Sequence, residues 1–385
     1  MTEIYLDNSA TTRPYQAVID LTGTILAESF GNPSSMHCKG IEAEKLIATA
    51  RRQVAAIFEG HEKEIFFTSG GTEANNLAIK GAAYRNRRRG THLVTSAIEH
   101  PSVLSCFQFL EQEGFNVSYL EVDRQGLVNQ EQLEDVVGSE TVLVSIMHVN
   151  NEIGSIQHLE ELGRTIKNSS REALFHVDAV QSFGRLPLKP DTWQADMVTA
   201  SAHKIHGPRG AGCLWVKKGT LLQPLLHGGG QEYGLRSGTE NTAAIAGFGL
   251  AAEICKTGLK EKAAQLDDLK QAFYHKLLEV GASFTINGPK PEESAPHIIN
   301  LSFPGLKAEM LLHSLEEKGV YISAGSACHS KHPDPSHVLE AIRTDKENLD
   351  SALRFSFSSF NTIEEAENAA LITARVTTEL EKYIS

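Results

Sequence analysis

Ser201-Ala202-His203-Lys204-Ile205-His206-Gly207-Pro208 follows the apolar run Met197-Val198-Thr199-Ala200, and Asp178-Ala179-Val180-Gln181 follows the run before it, Leu174-Phe175-His176-Val177. Polar groups at the carboxyl end of buried strands are where open α/β sheets bind ligands. A lysine and an aspartate placed this way suit pyridoxal phosphate (PLP), which has to be held at both ends. The ε-amine of Lys204 is placed to form an imine with the aldehyde carbon. The carboxylate of Asp178 is placed to keep the pyridine nitrogen protonated, so that the ring can accept the electrons of a carbanion. Two surface charges at strand ends are the alternative reading of the same pair.

Outward from these runs lie Glu64-Ile65-Phe66-Phe67-Thr68, His92-Leu93-Val94-Thr95, Thr141-Val142-Leu143-Val144-Ser145-Ile146 and Gly212-Cys213-Leu214-Trp215-Val216. Runs apolar on both faces, spaced by a helix's worth of residues, predict an α/β domain with a mostly parallel central sheet covered by helices. After about Ala252 the pattern changes to a long polar-faced helix through Lys276. Strand candidates follow at His297–Phe303, Val320–Ser323 and Leu353–Phe357, with a closing helix from Thr362 to Tyr383. This predicts a large domain over 16–256 and a smaller α+β domain formed by 1–15 with 257–385.

The 385 residues exceed one small core, and a formal net charge of −12 argues against a general nucleic-acid or anionic-membrane binder. Arg85-Asn86-Arg87-Arg88-Arg89 reads as a solvated helix end. No apolar run reaches the length of a membrane span, and Met1-Thr2-Glu3 leads into Ile4-Tyr5-Leu6 without a signal-peptide pattern, so a cytoplasmic protein is expected. Cys38, Cys106, Cys213, Cys255 and Cys328 are scattered, without a Cys-x-x-Cys pair, and read as single thiols; no metal site is expected.

Thr68-Ser69-Gly70-Gly71-Thr72-Glu73-Ala74-Asn75-Asn76 joins a strand to a helix starting near Thr72. Gly71 lets backbone N–H groups approach an anion and Thr72 adds a hydroxyl, which fits a phosphate cup as well as a structural turn. His100, in Glu99-His100-Pro101-Ser102, also follows a strand; an imidazole there can stack on a flat ring and exchange protons, or be a satisfied loop histidine. Asn151 and Gln181 each carry an amide able to hydrogen-bond a phenolate oxygen.

His100-Pro101-Ser102, His148-Val149-Asn150-Asn151-Glu152-Ile153-Gly154, Asp178-Ala179-Val180-Gln181, Ser201-Ala202-His203-Lys204 and Arg236-Ser237-Gly238-Thr239-Glu240-Asn241 together resemble the cysteine desulfurases of the NifS/IscS type. The resemblance runs from Tyr5-Leu6-Asp7-Asn8-Ser9-Ala10-Thr11-Thr12 to Leu353-Arg354-Phe355-Ser356, in the same order.

It implies a PLP fold-type I (aspartate aminotransferase-like) enzyme of the class-V aminotransferase family, a homodimer with sites near the subunit interface. By matched position Lys204 bonds the cofactor, His100 is the ring-stacking acid/base, Asp178 the pyridinium partner and Gln181 the partner of the phenolate oxygen. Thr72, Ser201 and His203 would hold the phosphate, with Thr239 reaching in from the other subunit. Asn151 and Arg354 match the residues that bind the substrate carboxylate, Arg354 by a two-pronged contact.

Cys328, in Ser323-Ala324-Gly325-Ser326-Ala327-Cys328-His329-Ser330, would be the nucleophile, carried on a mobile exposed loop spanning about 323–337. The Ser-Ala-Cys pattern and the loop length resemble the long-loop group of the family, and His329 departs from the small hydroxyl residue commoner there. His329, His332 and His337 are read as solvated loop histidines, with a lowered Cys328 pKa or an adventitious metal site as the alternatives.

The implied reaction converts L-cysteine to L-alanine and leaves a persulfide on Cys328 for an acceptor protein, an iron–sulfur scaffold or a tRNA-thiolation enzyme. Another PLP reaction on the same scaffold, such as selenocysteine lyase, β-lyase or aminotransferase chemistry, stays open, as does a non-catalytic scaffold for sulfur transfer. No long C-terminal docking tail is expected beyond the last helix.

Overall fold

The computed structural model describes residues 3–324 and 335–384. A seven-stranded sheet forms its centre, in spatial order Ile65–Thr68, Gly212–Val216, Met197–Ser201, Leu174–Asp178, Thr141–Met147, His92–Ser96 and Asn116–Leu120. Gly212–Val216 runs antiparallel to both neighbours, and every pairing from Met197–Ser201 across to Asn116–Leu120 is parallel. Thr141–Met147, Met197–Ser201 and Gly212–Val216 are buried at every position, which is why their sequences read as unbroken apolar runs.

Helices cover both faces of this sheet. Gly71–Asn86 and Pro101–Gln112 pack over one apolar cluster with Leu93, Leu143, Met197 and Leu214. The helices Cys38–Ile57 and Thr242–Lys256 pack against each other and join a second cluster containing Val144, Phe175, Val198 and Trp215. Pro101 at the first helical position costs no hydrogen bond, and the His100 ring caps that helix by accepting from the Ser102 N–H.

A separate apolar cluster lies under a four-stranded antiparallel sheet ordered Ser323–Ala324, Ala352–Ser356, Ile298–Ser302 and Thr285–Ile286. The helices Leu259–Glu279 and Ile363–Ile384 pack together beside it. Ile4 and Leu6 belong to this cluster, because Ile4–Tyr5 pairs in parallel with Val320–Tyr321. The stretch expected as one strand over Val320–Ser323 is therefore two. Its first half pairs with the N-terminal strand and its second with Leu353 and Arg354.

Candidate active site

The carboxyl ends of the parallel strands and the N-terminal segment enclose one cavity. It is lined by Ser9, Ala10, Gly71, Thr72, Asn75, His100, Pro101, Ser102, Met147, Val149, Asn151, Asp178, Val180, Gln181, Ser201, His203, Lys204 and Arg354. Asp178 and Ser201 are the last residues of their strands, and Lys204 ends the short 3-10 turn that follows Ser201. Thr12 holds this turn in place, its backbone N–H and its hydroxyl both donating to the His203 carbonyl. The Lys204 Nζ donates to the carbonyls of Ser9 and Ala10, the latter at 2.8 Å.

Both oxygens of the buried Asp178 carboxylate are engaged. Asn75 Nδ2 donates to Oδ2 at 2.7 Å and the Val180 N–H to Oδ1 at 2.9 Å. Asn75 Nδ2 also donates to Ser102 Oγ, which lies 2.8 Å from His100 Nδ1. Because the Ser102 N–H donates to the same Nδ1, the proton of the neutral ring belongs on Nε2. Burial holds the His100 imidazole below its ordinary pKa, opposed by Asp178 and reinforced by Lys204 and His337. Burial and the Lys204 charge push His203 down to about 3, so its ring is neutral at physiological pH.

The buried Arg354 guanidinium spends Nη1 on the Asn151 carbonyl and Nη2 on Asp7 Oδ1, both at 2.8 Å, while its Nε has no partner among the described residues. Asp7 thus holds part of the cation expected to grip a carboxylate. Gln181 donates from Nε2 to the Ser9 carbonyl at 3.0 Å.

One end of the cavity fits a phosphate. Gly70 caps the helix Gly71–Asn86 without a side chain, leaving first-turn N–H groups for another acceptor, and Ser201 Oγ is buried with no hydrogen-bond partner among the described residues. A Cβ on Gly71 would lie 2.9 Å from Val180 Cγ2 and 3.6 Å from Ser201 Cβ, so the absent side chain keeps this cradle open. The fixed anion at Asp178 suits a cationic ring nitrogen. An anion end, an acid and a lysine in one cavity are the donor set of a phosphorylated heteroaromatic aldehyde.

Residues 4–368 match the aminotransferase class-V family. The chain belongs to that family. It is 42% identical over 377 residues to the putative cysteine desulfurase IscS 1 of Bacillus subtilis, covering 98% of this chain and 99% of that one. It is 40% identical to the cysteine desulfurase IscS of Dictyoglomus turgidum, covering 97% of this chain and 94% of the relative. A solved NifS-like protein superposes with a TM-score of 0.91 at 38% identity, over 99% of this chain and 100% of the other. SspA, solved in complex with cysteine, superposes at 0.82 with 35% identity, over 94% of this chain and 100% of the other. The NifS/IscS resemblance and the PLP fold-type I architecture are therefore shown.

Of the residues expected at the site, Gly71, Thr72, His100, Asn151, Asp178, Gln181, Ser201, His203, Lys204 and Arg354 share this cavity. Thr239 does not; it lines a separate groove with Leu26, Phe30 and Pro33. Cys328, His329 and His332 lie outside the described residues. His337 is not a solvated loop side chain: it opens the helix His337–Ala341, half-buried, its Nε2 2.9 Å from the Glu99 carbonyl. Among the described residues no cluster of histidine, cysteine and acidic side chains could hold a metal. Cys106, Cys213 and Cys255 are buried and Cys38 is exposed; burial pushes the Cys106 thiol up to about 11 and Cys213 higher still.

Sequence reasoning missed Asn75, Ser102 and Asp7, which act by holding other residues. Asn75 had a signal: it falls one helical turn after Gly71, on the side that faces the sheet.

Proposed function

We propose that this protein is a PLP-dependent cysteine desulfurase that moves the sulfur of L-cysteine onto Cys328 and releases L-alanine. The observation that carries the reading is the gathering of Lys204, Asp178, His100, Gln181, Ser201 and Arg354 around one cavity, in a chain similar to cysteine desulfurases throughout its length. Thr72, the Gly71 turn, Ser201 and His203 would hold the cofactor's phosphate, Asp178 its ring nitrogen, Gln181 its phenolate oxygen and Lys204 its aldehyde carbon. When bound, PLP supplies an electron sink that allows an amino acid's α-carbon to lose its proton.

The chain's own groups do the rest. Asn75 and the Val180 N–H fix the Asp178 carboxylate, so its charge is in place without reorganisation. Lys204 is the base for the α-proton, whereas His100, whose proton Ser102 keeps on Nε2, is placed to give a proton. Arg354, steadied by Asp7 and the Asn151 carbonyl, would receive the substrate carboxylate, with Asn151 beside it. The Cys328 thiolate then forms an S–S bond as the substrate C–S bond breaks. The electron pair stays with the carbon, which takes a proton and leaves as alanine.

The outer sulfur of the persulfide is open to attack by an acceptor thiol, so the partner class is a sulfur-acceptor protein such as an iron–sulfur scaffold or a tRNA-thiolation enzyme. Among the described residues no helix is long and apolar enough to cross a membrane, and a cytoplasmic setting is the one we favour. A homodimer is supported by the exposed Leu26 and Phe30, which share a groove with Thr239, the residue expected to serve a second copy's phosphate site. Two domains, 16–256 and 1–15 with 257–385, are supported by their separate apolar clusters.

Purified protein given L-cysteine and a reductant is expected to form alanine, and Lys204→Ala to lower that rate by at least about a hundredfold. Alanine formation by the variant at the unmodified rate would overturn the reading.

A further inference from the structure

Arg185 does not line the cavity, yet it ties together three segments that do. Its guanidinium is buried; Nη2 donates to the Lys204 carbonyl at 2.7 Å and to the Asn8 carbonyl at 3.4 Å, and Nη1 donates to Gln181 Oε1 at 3.0 Å. Among the described residues no carboxylate forms an ion pair with it. A buried cation satisfied only by neutral acceptors is costly, and burial lowers its pKa to about 10, which still leaves it charged at physiological pH.

The contact with Gln181 carries chemical information. A primary amide offers an acceptor on one side and two donors on the other, and its two faces have nearly the same shape. Arginine can only donate, so whatever it binds has to be the oxygen. The His297 ring, 3.4 Å from the same Oε1, is buried and held well below its ordinary pKa, so it meets that oxygen as a neutral group. The Gln181 NH2 group is left for the Ser9 carbonyl and the cavity.

We propose that Arg185 is a positioning residue that fixes the Gln181 amide as a donor toward the cofactor's phenolate oxygen, while anchoring the backbone of Lys204. This rests on the PLP reading above. A donor held against an anionic oxygen favours the form in which no proton is shared between that oxygen and the lysine nitrogen. Loss of the donor should therefore raise the pH at which the visible absorbance of the protein-bound cofactor changes.

The test is a double-mutant cycle read by pH titration of that absorbance, with Arg185→Met, Arg185→Lys, Gln181→Ala and the Arg185→Met/Gln181→Ala pair. Arg185→Met is expected to raise the midpoint by about one pH unit, a tenfold change in proton affinity, and Arg185→Lys to raise it in the same direction by less. In the Gln181→Ala background Arg185→Met is expected to add little further shift. Should Arg185→Met not fold, Arg185→Lys in the two backgrounds makes the same comparison. A midpoint unmoved by Arg185 replacement, or a shift that persists in full without Gln181, would overturn the proposal. Unmodified protein that binds no PLP would overturn the function beneath it as well, a result distinct from either.

Discussion

Asn75 serves two roles at once, as its single amide nitrogen donates to Asp178 and to Ser102. Replacing it with alanine strands a buried carboxylate oxygen, a loss of about 1–3 kcal/mol by denaturant melt, with weaker PLP retention on dilution. Asn75→Asp should cost more, because a second carboxylate would face the first. A melt unchanged in Asn75→Ala would show that solvent or a shifted neighbour replaces the bond.

Residues that carry charge or a nucleophile were legible in the chain because their types are chemically unusual at the ends of apolar runs, as Lys204 and Asp178 are. Asn75, Asp7 and Ser102 were not legible as site residues, since an amide or hydroxyl that holds another group has no pattern of its own. His337 was misread for a related reason: its partner is the Glu99 backbone carbonyl, far away in the sequence.

At the scale of elements, buried strands declared themselves by continuous β-branched and aromatic runs. Asn116–Leu120 did not, because it is the sheet's outer strand: Asn116 is exposed and the middle of the strand is half-buried, so the sequence mixes polar and apolar residues. The break between Val320–Tyr321 and Ser323–Ala324 was equally hidden, as only the partners, Ile4–Tyr5 and Leu353–Arg354, distinguish the two halves.

Strand Gly212–Val216 offers a test of the turn that forms the phosphate end. A Cβ on Gly212 would lie 2.6 Å from the Gly70 carbonyl carbon, and backbone cannot move aside as a flexible side chain does. Gly212→Ala is expected to cost about 1–3 kcal/mol in a thermal or denaturant melt and to loosen PLP more than Arg85→Ala, exposed at the far end of the neighbouring helix Gly71–Asn86. Equal PLP retention in the two variants would separate the strand contact from the phosphate turn.

For the whole molecule, buried histidines set the acid limit of stability. Burial lowers His148 to about 4, His176 to about 3 and His206 to about 4. Each stays neutral in the fold while the unfolded chain takes up a proton below about 6.5, so stability is lost as pH falls from there toward 4. Each contributes on the order of 2 kcal/mol between pH 6.5 and 5. Glu99 acts in the opposite sense: burial raises it to about 8, so the fold gains from acidification until the unfolded carboxyl also protonates near 4.5. The histidine losses, to which the lowered His203 and His297 add, outweigh the one gain and leave a net fall of a few kcal/mol, which denaturant melts at pH 6.5 and 5 should register; equal midpoints would contradict it.

The proposed dimer belongs to this scale too. Phe30→Asp, in the groove shared with Thr239, is expected to yield monomer by sedimentation and to lose PLP, whereas a variant that stays dimeric and keeps PLP would place the interface elsewhere.

The account turns on the destination of the substrate's sulfur. The most direct measurement is mass mapping of cysteine-containing peptides after the PLP-bound protein has met L-cysteine without reductant. The account predicts that the Cys328 peptide gains the mass of one sulfur atom and that those of Cys38, Cys106, Cys213 and Cys255 do not. An unmodified Cys328 peptide in protein that has released alanine, or sulfur found on another cysteine instead, would contradict it.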